Sequence, residues 1–167
     1  MSEPPRASDD YPLAFSIGAA IRLTQRQFVQ ELQDRLAPHD IPIGMWYFFR
    51  ALWETDGLTQ RQLSQRVGAT EQTTVEQLRN MERRGYIERR RSADDRRKVH
   101  VRLTEAGQAL KHQLVPFALE ANRAALEGLS DGEIGFLRLV LDRIRTNLEA
   151  HQARRRTPAT PTTGEVA

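Results

Sequence analysis

The sequence predicts a mainly α-helical chain carrying one small β-hairpin, and three observations predict it. Apolar residues recur at helical spacing through most of its length, as in Val75, Leu78 and Met81 or Ile134, Leu137, Leu141, Ile144 and Leu148. In Lys98-Val99-His100-Val101-Arg102-Leu103 the period drops to two, with Val99, Val101 and Leu103 on one face. Between these patterns lie two short helices joined by a tight glycine turn, the helix-turn-helix arrangement. Together these make a winged helix-turn-helix, with longer helices at both chain ends forming a dimerisation region.

The elements follow in order. Residues 1–12 are rich in Pro, Ser and Asp and read as a mobile arm. Residues 13–40 form an N-terminal dimerisation helix, in which Ile17, Ile21, Phe28, Leu32 and Leu36 make one apolar stripe about six turns long. So long a stripe exceeds what a small lobe can cover, so part of it is expected to meet a second subunit. Ala37-Pro38-His39-Asp40 breaks the helix, and Ile41-Pro42 opens the next. Residues 41–104 are the helix-turn-helix lobe. Its first helix, IGMWYFFRALWE, places Met45, Phe48, Phe49 and Leu52 on a core face, with Trp46, Arg50 and Trp53 on another flank.

Thr59 caps the following helix and Gln62 completes a capping box, with Leu58 and Leu63 in the staple positions. Gly68 stands where a left-handed terminal residue is wanted. Thr70 caps the next helix, and Gly85 stops it. Tyr86–Arg91 is the partner strand of 98–103, and Ser92-Ala93-Asp94-Asp95 carries turn chemistry between them.

Residues 105–150 are read as C-terminal dimerisation helices. Thr104 caps the first, whose apolar face is Ala106, Leu110, Leu114, Phe117 and Ala121, with a kink expected near Lys111–His112 from Pro116. Ser130 and Glu133 form a second capping box, with Leu129 and Ile134 as its staple, opening a helix with coiled-coil spacing. Residues 151–167, including Arg154-Arg155-Arg156, are expected to be a disordered tail.

Charge points to the partner. From Arg79 to Arg102 there are ten Arg or Lys and four Asp or Glu, a local +6, while the whole chain is +3. A basic module on a mildly acidic remainder suits phosphates, whose neutralisation releases condensed counterions. On the second helix of the motif, Gln72, Thr73, Glu76 and Gln77 are expected to face base edges in the major groove. Thr70, Thr74, Arg79, Arg83, Gln60 and Arg61 are expected on the phosphate backbone. For Glu76 an ion pair with Arg79 or Arg83 is the competing account.

Residues 94–107, DDRRKVHVRLTEAG, resemble the wing signature of the MarR (multiple antibiotic resistance regulator) family, an Asp-x-Arg before a short strand ending in Leu-Thr. The resemblance places the pattern on Asp95, Arg96 and Arg97, with Arg97 in the minor groove and Asp95 bracing the wing arginines. It implies a homodimer that binds double-stranded DNA, most often as a repressor, and answers to a small aromatic effector. Trp46, Tyr47 and Arg50, with Arg22 and Arg26, are the candidate effector residues, suited to a planar carboxylate or phenolate. An effector-independent winged-helix or architectural protein is the alternative.

Other classes find little support in the sequence. Without cysteine there is no thiol nucleophile, disulfide or thiolate metal site. No serine lies in a Gly-x-Ser-x-Gly context, no glycine-rich phosphate loop is present, and the four histidines share no metal-ligand spacing. An enzyme, a cofactor and a metal are therefore not expected. No run approaches the ~18 apolar residues that span a membrane, and the N-terminus lacks a signal-peptide plan, so the cytoplasm is the expected compartment.

Overall fold

The computed structural model of the protein describes residues 16–91 and 99–156. Its elements are α1 (Ile17–Leu36), a 3-10 turn (Ala37–His39), α2 (Ile43–Glu54), β1 (Leu58–Thr59), α3 (Gln60–Val67), α4 (Glu71–Arg83), β2 (Ile87–Arg91), β3 (Val99–Leu103), α5 (Glu105–Ala125) and α6 (Asp131–Arg156). The fold is mainly helical with one small antiparallel sheet. The chain divides into two units, Met1–Ala125 and Leu126–Ala167.

The caps in the first unit are those expected. Thr59 Oγ1 accepts from the Gln62 amide, and Gln62 returns a bond to the Thr59 amide at 2.8 Å. Gly68 is left-handed, at φ 74°. Thr70 caps α4 through the Thr73 amide at 3.1 Å. The sheet differs from a two-stranded wing: it has three strands in the order β1-β3-β2. Leu58 pairs with Val101 and Thr59 with His100, so the two residues that staple and cap α3 also form a short strand. Two residues are too few to show a period. Ser92–Asp95, expected as the turn, lies outside the described residues.

The core is built on α2. Met45, Phe48, Phe49 and Leu52 are buried as expected, and they meet Leu63 of α3, Leu78 and Met81 of α4, Ile87, Val101 and Leu114. Trp46 is also buried, at 3 % exposure, so the α2 core face is wider than the spacing suggested. Phe49 stacks on Trp53 at 5.2 Å and meets Tyr86 edge-on. Asp40, left-handed at φ 55°, receives both terminal nitrogens of Arg84 at 2.7 Å, on its carbonyl and its carboxylate. That clasp ties the α1–α2 joint to the end of α4.

α5 docks through its first turn. Thr104 Oγ1 donates to Gly85 O at 2.6 Å, and the Thr104 amide donates to Tyr86 O at 3.0 Å. Trp53 Nε1 reaches Gly107 O at 3.0 Å. Helix and strand are so close here that a Cβ on Gly107 would collide with the Tyr86 carbonyl oxygen. Ala106, placed on the apolar face by its spacing, is exposed, and Gly107 takes its place against the core. α5 is one helix from Glu105 to Ala125 with Pro116 inside it.

In the second unit, Ser130 and Glu133 make the expected capping box, with Ser130 Oγ donating to Glu133 Oε2 at 2.7 Å. That hydroxyl bond holds the Glu133 carboxyl below its ordinary range. α6 extends to Arg156, so residues 151–156 are helical where a disordered tail was expected from 151. Along it Leu137, Leu141 and Leu148 of the expected seam are exposed within the single chain. Among the described residues no helix is long and apolar enough to cross a membrane.

Gly107→Ala is expected to destabilise the protein by about 3 kcal/mol in urea unfolding, the upper end of overpacking costs. Gly18→Ala, where only Ser16 Oγ lies within reach, at 3.8 Å, serves as the control and is expected to lose nothing.

Candidate nucleic-acid interface

One stripe of α4 packs inward and the opposite one is left free. Thr74, Leu78 and Met81 are buried, spaced four and three apart. Gln72, Thr73, Glu76, Arg79 and Arg83 are exposed on the other side. Four of these reach solvent as the major-groove and backbone assignments require, and Arg83 is held to Asn80 Oδ1 at 2.8 Å. Gln72 Nε2 donates to Glu76 Oε1 at 3.3 Å, and among the described residues no ion pair joins Glu76 to Arg79 or Arg83. The Gln72–Glu76 pair therefore stands as one polar unit on the outer face.

Two assignments on α4 are corrected. Thr74, expected on a phosphate, is 0 % exposed, and its hydroxyl donates to Thr70 O at 2.8 Å. Its methyl fills the core while its oxygen bonds back one turn, a habit of helical threonine. Counting threonine as polar moved the apolar stripe onto Val75, which is only half-buried. Gln77, expected at base edges, instead lies against the start of α2, with its amide nitrogen beside Gly44. Thr70 is exposed but committed to its cap.

The basic window is less free than its count suggests. Arg84 is taken by Asp40, Arg89 by Glu82 at 3.2 Å, Arg90 by Glu88 at 2.7 Å and Arg102 by Asp56 at 3.9 Å. The side chains of Arg79 and Arg91 have no hydrogen-bond or ion-pair partner among the described residues. Asp95, Arg96 and Arg97, the wing assignments, lie outside the described residues.

A cleft of about 740 Å³ separates α3 from β3. Thr59, Gln60, Arg61, Gln62 and Gln65 line one side, with Glu71, Val99 and His100 around the rest. Gln60 and Arg61, assigned to the phosphate backbone, both line this cleft. His100 and Gln65 went unassigned from sequence. The alternation did place His100 opposite the buried valine, but not in a cleft.

A second groove, about 440 Å³, runs between α1, α2 and α5. Trp46, Tyr47 and Arg50 line it together with Phe28, Leu32, Val115 and Leu119. Trp46 is both buried in the core and part of the groove lining. Arg22 and Arg26 are exposed on α1 and do not line the groove, because they fall on the flank of α1 turned from α2 and α5. Arg50 Nε lies 3.8 Å from Glu54, which Arg66 of α3 holds at 2.8 Å. The Arg66 hydrogen bond, aided by both positive charges, keeps the Glu54 carboxyl below its ordinary range.

The sequence profile of the MarR family matches residues 48–99. The organic hydroperoxide resistance transcriptional regulator of Bacillus subtilis (strain 168) is 32 % identical over 103 residues, 62 % of this chain and 67 % of that protein. Across the first curated relatives the matched stretch spans 63–67 % of their length. A MarR transcriptional regulator from Methanosarcina mazei Go1 superposes with a TM-score of 0.73 at 27 % identity, covering 78 % of this chain and 94 % of that one. Bordetella bronchiseptica BpsR, whose DNA binding is regulated by 6-hydroxynicotinic acid, shares the fold with a TM-score of 0.75 at 20 % identity over 82 % of this chain and 98 % of its own. With the expected helix-turn-helix and its sheet in place, these likenesses agree on one conclusion: the chain belongs to the MarR family of DNA-binding transcriptional regulators.

Proposed function

We propose that this protein is a repressor that acts as a homodimer on a pseudo-palindromic operator and is released by a small aromatic anion. The outer face of α4 carries the reading. There Gln72 can pair with adenine, Glu76 can accept from cytosine and Thr73 can meet a thymine methyl, while Arg79 is free for a phosphate. Two apolar surfaces, one in each unit, support pairing of two copies. Ile17 and Ile21 of α1 are 60 % and 40 % exposed, and Phe136 and Leu148 of α6 are 68 % and 56 % exposed. Such a dimer would span half-sites ~10 bp apart.

The α1–α2–α5 groove is the proposed effector site. Its aromatic wall and the terminal nitrogens of Arg50 suit a planar acid, the class to which the BpsR effector belongs. Glu54 offers a route outward, since it touches Arg50 at the groove and Arg66 on α3. An effector releases DNA only by binding the released conformation more tightly.

Footprinting on the DNA upstream of its own gene tests this reading. Two protected half-sites ~10 bp apart are expected; protection of a single half-site would contradict a dimer. Gln72→Ala should cost ~1–3 kcal/mol at one base position, whereas Arg79→Ala should weaken all sequences alike and lower the salt slope by about one. Benzoate is the probe for the groove. At ten times its dissociation constant it should stabilise the protein by about 1.4 kcal/mol, and Arg50→Gln should abolish the effect.

A further inference from the structure

We infer that His100 is a proton-coupled phosphate contact, so that duplex binding at the α3–β3 cleft takes up a proton on its Nε2. The inference begins from one hydrogen bond. His100 Nδ1 lies 2.7 Å from the carbonyl oxygen of Gly57. A carbonyl cannot donate, so Nδ1 must carry the hydrogen. The neutral ring therefore has its bare nitrogen at Nε2, the nitrogen not bonded to Gly57, and His100 is part of the cleft lining. A phosphate oxygen is also only an acceptor, and two acceptors repel. Phosphate can be held there only after Nε2 gains a proton, which converts the ring into a cationic donor.

The surroundings leave a place for an anion that arrives with DNA. Arg61 of α3 lines the same cleft, and its guanidinium has no partner among the described residues. Glu71 of α4 is the acid in the lining. Across the sheet, Thr59 stands opposite His100 on β1 and Arg90 opposite it on β2, and Arg90 is already paired with Glu88. Along β3, Arg102 is paired with Asp56. Lys98, the neighbour on the other side, lies outside the described residues. The duplex thus supplies the second anion that makes a cation at His100 favourable, and affinity gains from every proton taken up.

The test uses the full chain and a fluorescent duplex of unrelated sequence, because phosphate contacts dominate non-specific binding. At constant ionic strength, affinity of the unaltered protein should rise about tenfold from pH 8 to pH 6, the scale of one charge-assisted hydrogen bond. His100→Gln keeps a donor for Gly57 and should shift less than about twofold over the same range. His39, His112 and His151 are intact in that variant, so a tenfold rise persisting in it would overturn the inference. So would a flat pH profile in the unaltered protein. A second measurement needs no substitution: calorimetry in buffers of different ionisation heat should report uptake of about half a proton per chain bound, averaged from pH 6 to pH 8, as the tenfold rise requires. Zero uptake would overturn it independently.

Discussion

Everything at the proposed DNA-binding surface depends on how α4 is seated. Thr74, Leu78 and Met81 are withdrawn from water into an aromatic core supplied by α2, and that burial fixes the rotation of the helix about its axis. With the axis fixed, Gln72, Thr73, Glu76 and Arg79 have only one direction to face. A buried Leu or Met contributes about 1.5–3 kcal/mol, so a rotation that exposed both would cost more than the polar face could recover. The hydroxyl of Thr74 is satisfied by Thr70 within the helix, so its burial leaves no unpaired group.

The same logic orders the charges. Many arginines in the basic stretch are engaged with acids that position the lobe, such as Arg84 on Asp40 at the α1–α2 joint. Exposed pairs of this kind contribute little to stability. Their effect is to subtract cations from the surface open to phosphate, leaving Arg79 on α4 and Arg91 on β2 as side chains without a partner among the described residues. A count of +6 across the window therefore measures attraction at long range more faithfully than it measures contacts.

Much of this was legible from residues alone. Caps have local chemistry, and so Thr59 with Gln62, Thr70, and Ser130 with Glu133 appear where the sequence reading puts them. What escaped is tertiary. Thr74 is polar by composition but sits four and seven residues before Leu78 and Met81, a spacing that a purely hydrophobic count discards. Gln77 is drawn to α2 because a glycine at 44 leaves room for its amide. The pairing of β1 with β3 depends on residues more than forty positions apart, and no periodicity reports that. Among the effector candidates, Trp46, Tyr47 and Arg50 share one helix with the groove wall, whereas Arg22 and Arg26 depended on the facing of a neighbouring helix.

The orientation of α4 is the central claim, and its side-chain amides can report on it directly. Gln72 and Gln77 lie on one helix, five residues apart, with one facing out and the other lying against Gly44. In an NMR titration with operator duplex, the side-chain amide resonances of Gln72 should shift on binding while those of Gln77 stay in place. Movement of Gln77 with Gln72 unchanged would contradict the account.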